Sequence, residues 1–159
     1  MSYGSLLDLE KVSQNRYSPC VIDNEEVVAR LLFSPRHYLD GEILPMAFDQ
    51  VTNEGGMSIL RMSYFFENSL NKTISQIGNS TVKYCGYACA KVEDIRAIKI
   101  EDLRVCYVLD TATKEKRGHA DIFYIKFSIE ECGLPKKALK TYVRKEIAKV
   151  FNQLIIVKQ

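Results

Sequence analysis

Apolar positions in this chain fall in short runs parted by turn-forming residues, and the period within each run separates strand from helix. Glu26 to Phe33 reads Glu-Val-Val-Ala-Arg-Leu-Leu-Phe, short, β-branched at its start and halted by Ser34-Pro35, which predicts a mostly buried strand. Asp40-Gly41 supplies positive φ, so Ile43 and Leu44 begin the return arm of a hairpin or a tight loop that Pro45 ends. Asn53-Glu54-Gly55-Gly56 predicts a turn and Met57 to Arg61 a strand. In Tyr64 to Ile77, Phe66, Leu70, Ile74 and Ile77 line one helical face, closed by Gly78-Asn79.

Val82 to Val92 predicts another strand, in which Gly86, Ala88 and Ala90 leave room for a close neighbour; Glu93 to Arg96 follows as a helical turn or irregular link. Leu103 to Asp110 and Ile122 to Ile129 are the strongest strand signals, and the polar stretch Thr111 to Gly118 between them predicts an antiparallel pair. Pro135 suits the first turn of a helix over Lys136 to Leu154, with Leu139, Tyr142, Val143, Ile147, Val150, Phe151 and Leu154 on one side. The sum is an α+β fold, a mainly antiparallel sheet with two packed helices in a single domain over 25–159. Residues 1–24 precede it as an N-terminal arm, where Leu6, Leu7 and Leu9 suit a short docking helix before the turn at Arg16 to Pro19.

Composition narrows the classes. A chain of 159 residues, 47% hydrophobic and 26% charged, is an ordinary globular domain's worth. The net charge of +2 gives no overall field toward nucleic acid or an anionic membrane, so such binding needs a local patch. Five cysteines, an odd number without a Cys-x-x-Cys pair, read as a reducing cytosol. With no export signal and no long apolar run, neither secretion nor membrane insertion is expected.

The two histidines, His37 and His119, each sit where an apolar run meets a turn. Arg36 beside His37 offers an anion fork next to a group that titrates near neutrality; the plainer reading is a capped strand end. His119 and Asp121 are two apart at a strand start, hence on one face, where a carboxylate can orient an imidazole as general base; the plainer reading is a finished hairpin. If the two rings converge, one acts as acid and the other as base, with Arg61 or Arg96 holding anionic charge, a constellation able to cleave a phosphodiester, RNA or a nucleotide without metal. No metal-ligand spacing, glycine-rich phosphate loop or Gly-x-Ser-x-Gly turn occurs, so neither metal nor cofactor is expected and neither Ser58 nor Ser63 is marked as a nucleophile.

The C-terminal helix carries Lys136, Lys137, Lys140, Arg144, Lys145 and Lys149 opposite its apolar stripe, with Glu146 as counterweight. That basic face, with Lys137, Lys140 and Arg144 at its centre, is the candidate surface for a protein or nucleic-acid partner. Tyrosines 84, 87, 107 and 124 lie on predicted strands and offer a second contact surface. The order Phe33-Ser34-Pro35-Arg36-His37, Pro45-Met46-Ala47-Phe48, Met57 to Arg61, Val92 to Arg96 and Gly118 to Ile122 resembles a family of small uncharacterised bacterial proteins over residues 27–127. That resemblance implies a bacterial setting and no particular activity. The leading expectation is a binding or accessory module that presents a sheet face or the basic helix to a partner; the metal-independent His/His/Arg enzyme is the alternative.

Overall fold

A computed structural model describes residues 3–12, 15–50, 56–64, 83–124, 133–151 and 154–157. In chain order its elements are α1 (Tyr3–Glu10), β1 (Val27–Ser34), β2 (Tyr38–Leu39), β3 (Glu42–Ile43), β4 (Met57–Arg61), β5 (Lys83–Lys91), α2 (Val92–Arg96), β6 (Lys99–Ile100), β7 (Leu103–Arg104), β8 (Tyr107–Asp110), β9 (His119–Phe123), α3 (Lys136–Phe151) and β10 (Leu154–Val157). Six strands form one sheet in the order β10-β5-β1-β4-β9-β8, every neighbouring pair antiparallel. Two small hairpins, β2-β3 and β6-β7, stand beside it. The α+β class read from the sequence is the architecture observed.

Apolar alternation sorts the sheet into two faces. Val28, Leu32, Ile59, Ala88, Ala90, Ala120 and Ile122 turn toward one side, where Leu139, Val143, Ile147 and Phe151 of α3 meet them in the main core. These four helix residues recur every fourth position and are fully buried, each worth roughly 2 kcal/mol of transfer free energy. Phe151 also packs on Phe48, ring centroids 5.3 Å apart, which anchors the 3-10 turn Pro45–Phe48 under the helix. On the opposite face Leu31, Phe33 and Leu60 form a smaller cluster bordered by Tyr84 and Tyr87.

Positive φ shapes the strands at two places, a turn and a bulge. At Asp40 (φ 52°) and Gly41 (φ 87°) the chain makes the tight β2-β3 turn that the sequence announces. Gly86 (φ 144°) lies where the β1-β5 register slips between Leu32 and Phe33, a bulge that only a residue without Cβ accommodates easily. The bulge brings Tyr84 opposite Phe33 and Tyr87 opposite Leu31 on the same face.

Several expectations are corrected. Leu103 to Asp110 is broken into β7 and β8, because Val105 turns back to hydrogen-bond Ile98. The C-terminal helix stops at Phe151; Leu154 belongs to β10, an edge strand paired with β5, not to the helix. Tyr142 lies at the helix margin, 39% exposed, with its hydroxyl on the Lys99 carbonyl. The N-terminal segment is no correction, for α1 is the short helix expected there and the segment docks on the sheet: Glu10 accepts from the Val108 amide, Asn15 donates to the Ala112 carbonyl and Ser18 to Asp110. Of the helix predicted over Tyr64 to Ile77 only Tyr64 is described, at the end of a 3-10 turn. Residues 65–77, Ile125 to Ile129, Asn53 to Gly55 and Cys132 lie outside the described residues.

Candidate functional site

The β4-β9 register decides what His119 meets. Ser58 pairs with Asp121 and Leu60 with His119, so Ser58, His119 and Asp121 share the face opposite α3. Thr111, one residue beyond β8, completes the group. Its Oγ1 donates to Asp121 Oδ2 at 2.7 Å and lies 2.8 Å from His119 Nδ1, while His119 Nε2 lies 3.2 Å from Ser58 Oγ. A hydroxyl has one proton; Thr111 gives it to the carboxylate, so the bond to His119 needs Nδ1 to carry the hydrogen. Nε2 is then the bare lone pair, and Ser58 is its donor.

Beside this chain β1 and β4 part company. Their pairing ends at Ala29 with Leu60, and past it Arg30 spans the opening, donating from Nε to the Ala47 carbonyl (2.6 Å) and from Nη1 to the Ser58 carbonyl (2.8 Å). A cavity of about 80 Å³ sits at the split, walled by Ala29, Leu31, Phe33 and Leu60 and lined also by Ser58, His119, Arg30 and Lys116. Burial lowers the pKa of His119, with Lys116 adding to the effect and Asp121 opposing it, so the ring is neutral near pH 7. Burial and the neighbouring Arg36 lower that of Arg30 to about 10, and it keeps its charge there.

The other candidates are placed elsewhere. His37 is buried, not presented to solvent: its ring stands edge-on to Phe33 with centroids 5.9 Å apart, and Nδ1 has no hydrogen-bond partner. Burial, then the charges of Arg30 and Arg36, lower its pKa to about 4. Phe33, which walls the cavity that His119 lines, packs against the His37 ring, and among the described residues no hydrogen bond, ion pair or ring contact joins the two histidines directly. Arg36 is exposed in the turn.

Arg61 faces the α3 side and spends all five N–H donors. Nε and Nη2 grip Glu26, Nη2 also reaches Cys20 Sγ, and Nη1 bonds the Cys20 carbonyl and Asp110 Oδ2. Burial opposes this charge, but the bonds to Glu26 and Cys20 outweigh it and raise the pKa. No donor is left for a substrate anion, so the clamp expected of Arg61 is withdrawn. Arg96 is engaged less completely: Glu10, Asn24 and the Ile22 carbonyl take four of its five N–H donors.

The basic helix face is also smaller than expected. Lys140 Nζ lies 2.7 Å from Asp49 Oδ1, though not aligned for a hydrogen bond, and Arg144 Nη1 is 4.0 Å from the same oxygen. Both are half-buried and tie α3 to the turn after Phe48, while Lys136, Lys137 and Lys145 stay exposed.

A second concavity, about 610 Å³, opens between α1, α2 and the β6-β7 hairpin. Leu7, Val21 and Ile22 give it an apolar base, and Lys11, Arg96, Lys99 and Arg104 set four cations against Glu10 and Glu93. Arg96 Nε, the Arg104 guanidinium and the Val108 amide all donate to one oxygen, Glu10 Oε1. Arg96 was legible as an anion-binding candidate; Arg104 and the groove were not, since they depend on α1 folding back over β8.

Among the described residues, no group of three His, Cys, Asp or Glu side chains is placed to hold a metal ion, and no helix is long and apolar enough to cross a membrane. No protein-family model, curated protein or solved structure matches the chain.

Proposed function

We propose that the protein is a binding module whose working surface is the groove between α1, α2 and β6-β7, and that its occupant is an acidic, partly apolar segment of a protein partner. The observation that carries this reading is the convergence of Arg96 and Arg104 on the single carboxylate of Glu10. Glu10 neutralises one of the two guanidiniums, and with Lys11 and Lys99 the groove sets four cations against Glu10 and Glu93, a surplus of two. At about 610 Å³ the groove is in the range that takes several side chains. Its apolar base favours a peptide over a bare polyanion, and no aromatic ring among the groove's lining residues offers a base-stacking platform. Tyr142 of α3 bonds the Lys99 carbonyl, so the exposed lysines of that helix extend the positive field beside the groove.

Lys11 and Lys99 are exposed and reverse charge without touching the core. Fluorescence anisotropy with peptides mixing Glu or Asp with Leu should show binding that weakens as salt rises, and Lys11→Glu with Lys99→Glu should lower affinity at least 10-fold. Binding indifferent to the double reversal, or selective for a short RNA over the peptides, counts against the reading.

A further inference from the structure

The polar chain at the β1-β4 split does something the groove does not need. We propose that Ser58 is a catalytic nucleophile, with His119 as its general base, and that the site cleaves esters of small acyl groups. Asp121, Thr111, His119 and Ser58 form one line of hydrogen bonds whose direction is set at the carboxylate end, which leaves Nε2 able to accept only from Ser58. Thr111 stands between His119 and Asp121, whose Nδ1 and Oδ2 are 3.8 Å apart, and acts as a positioning residue. The cavity in front of Ser58 has room for two or three water-sized groups by its volume of about 80 Å³, which suits an acetyl or similarly short acyl chain and excludes a bulky one. Apolar walls from Leu31, Phe33 and Leu60 receive that chain, and Arg30 and Lys116, which line the same cavity, give it a positive field that favours a developing oxyanion.

The step balances with water as the only co-reactant. Ser58 Oγ bonds the ester carbonyl carbon as its proton passes to His119 Nε2, and the carbonyl π pair moves onto oxygen. Collapse breaks the bond to the leaving alkoxide, which takes the proton from His119. Water then attacks the acyl-Ser58 ester, giving its proton to Nε2, and the carboxylic acid departs as Ser58 is reprotonated. Because burial depresses the His119 pKa, the base stays competent down into mildly acid solution.

p-Nitrophenyl acetate tests this on the full chain. The expected result is a burst approaching one p-nitrophenolate per chain, with acetyl found on Ser58 by mass spectrometry and a rate that holds through pH 6.5, the ordinary imidazole value, and falls only in more acid solution. Ser58→Ala should abolish the burst and Ser63→Ala, in an exposed serine next to β4, should leave it intact. His119→Gln retains a hydrogen-bonding side chain without a base and should slow acylation about 100-fold. Thr111→Val should slow it less and move the pH midpoint, which a residue of purely structural importance would not do. Acetylation of Ser58 no faster than that of Ser63 overturns the proposal, as does a rate unchanged in His119→Gln with fold verified by circular dichroism.

Discussion

At the scale of single residues, the two histidines show what one sequence can and cannot announce. His119 and Asp121 share a face because strands have a period of two, and that was legible from their spacing. Ser58 was not, since its partner depends on the β4-β9 register, and register is a property of pairing rather than of either strand alone. His37 looked equally open to solvent, yet a chain reversal folds its ring onto Phe33. That burial has a measurable consequence. The folded pKa of about 4 lies below the ordinary value of 6.5, so the unfolded chain binds the proton more readily. The neutral ring's contribution is complete above pH 6.5 and is lost as pH falls toward 4. Relative to His37→Leu, the wild type should lose an extra 2 to 3 kcal/mol, an order-of-magnitude figure, between pH 7.5 and 4.5 in urea denaturation (roughly 1.36 kcal/mol per pH unit). Parallel pH profiles for the two proteins would mean that the ring is not held neutral.

At the scale of elements, three strands of the main sheet were readable because their short apolar runs are bounded by turn residues, whereas β9 begins at His119, ahead of the Ile122 start read from the sequence. β1, β4 and β5 lie within a residue or so of their predicted spans. What failed were places where tertiary contacts override local pattern: the break at Val105, and the end of α3, where Leu154 continues the apolar spacing but joins an edge strand. The split between β1 and β4 is likewise invisible beforehand, because Arg30 replaces strand pairing with side-chain bonds to two carbonyls. Gly56, just before β4, is the tightest point nearby: a Cβ there would lie 2.5 Å from Asp121 Cβ and 2.9 Å from the Phe123 ring. The Asp121 Cβ is fixed to its backbone and cannot swing away, so Gly56→Ala must displace β4 against β9. We expect a loss of about 1 to 3 kcal/mol, with the Ser58-His119 distance changed in the same variant, read by thermal unfolding and by the burst rate. A variant as stable as the wild type would show that the strand entry yields freely.

Across the whole molecule, one side chain joins parts that are far apart in sequence. Arg61 ends β4, holds Glu26 ahead of β1 and Asp110 at the end of β8, takes the Cys20 carbonyl of the N-terminal segment, and lies 4.8 Å over the Tyr64 ring. Its side chain is 0% exposed, and those of Asp110 and Glu26 are 2% and 13% exposed. The attraction within such a network is largely cancelled by the desolvation of its members, so its net worth is small while it is whole. Removing the cation alone is different, because two carboxylates then remain enclosed without a counter-charge, held only by the neutral donors Ser18 and the Ala112 and Asp23 amides. Arg61→Met should therefore cost about 3 to 5 kcal/mol in urea denaturation at neutral pH, far beyond the packing loss, since Met fills much of the aliphatic stem's space. Adding Asp110→Asn removes one stranded charge, and the double variant should be more stable than Arg61→Met alone even though Asp110→Asn by itself destabilises the wild type. That reversal of sign is the signature of a coupled charge network in a double-mutant cycle. Additive losses, or a cost below about 1 kcal/mol for Arg61→Met, would mean that water reaches the carboxylates and the strands are joined by their apolar faces alone.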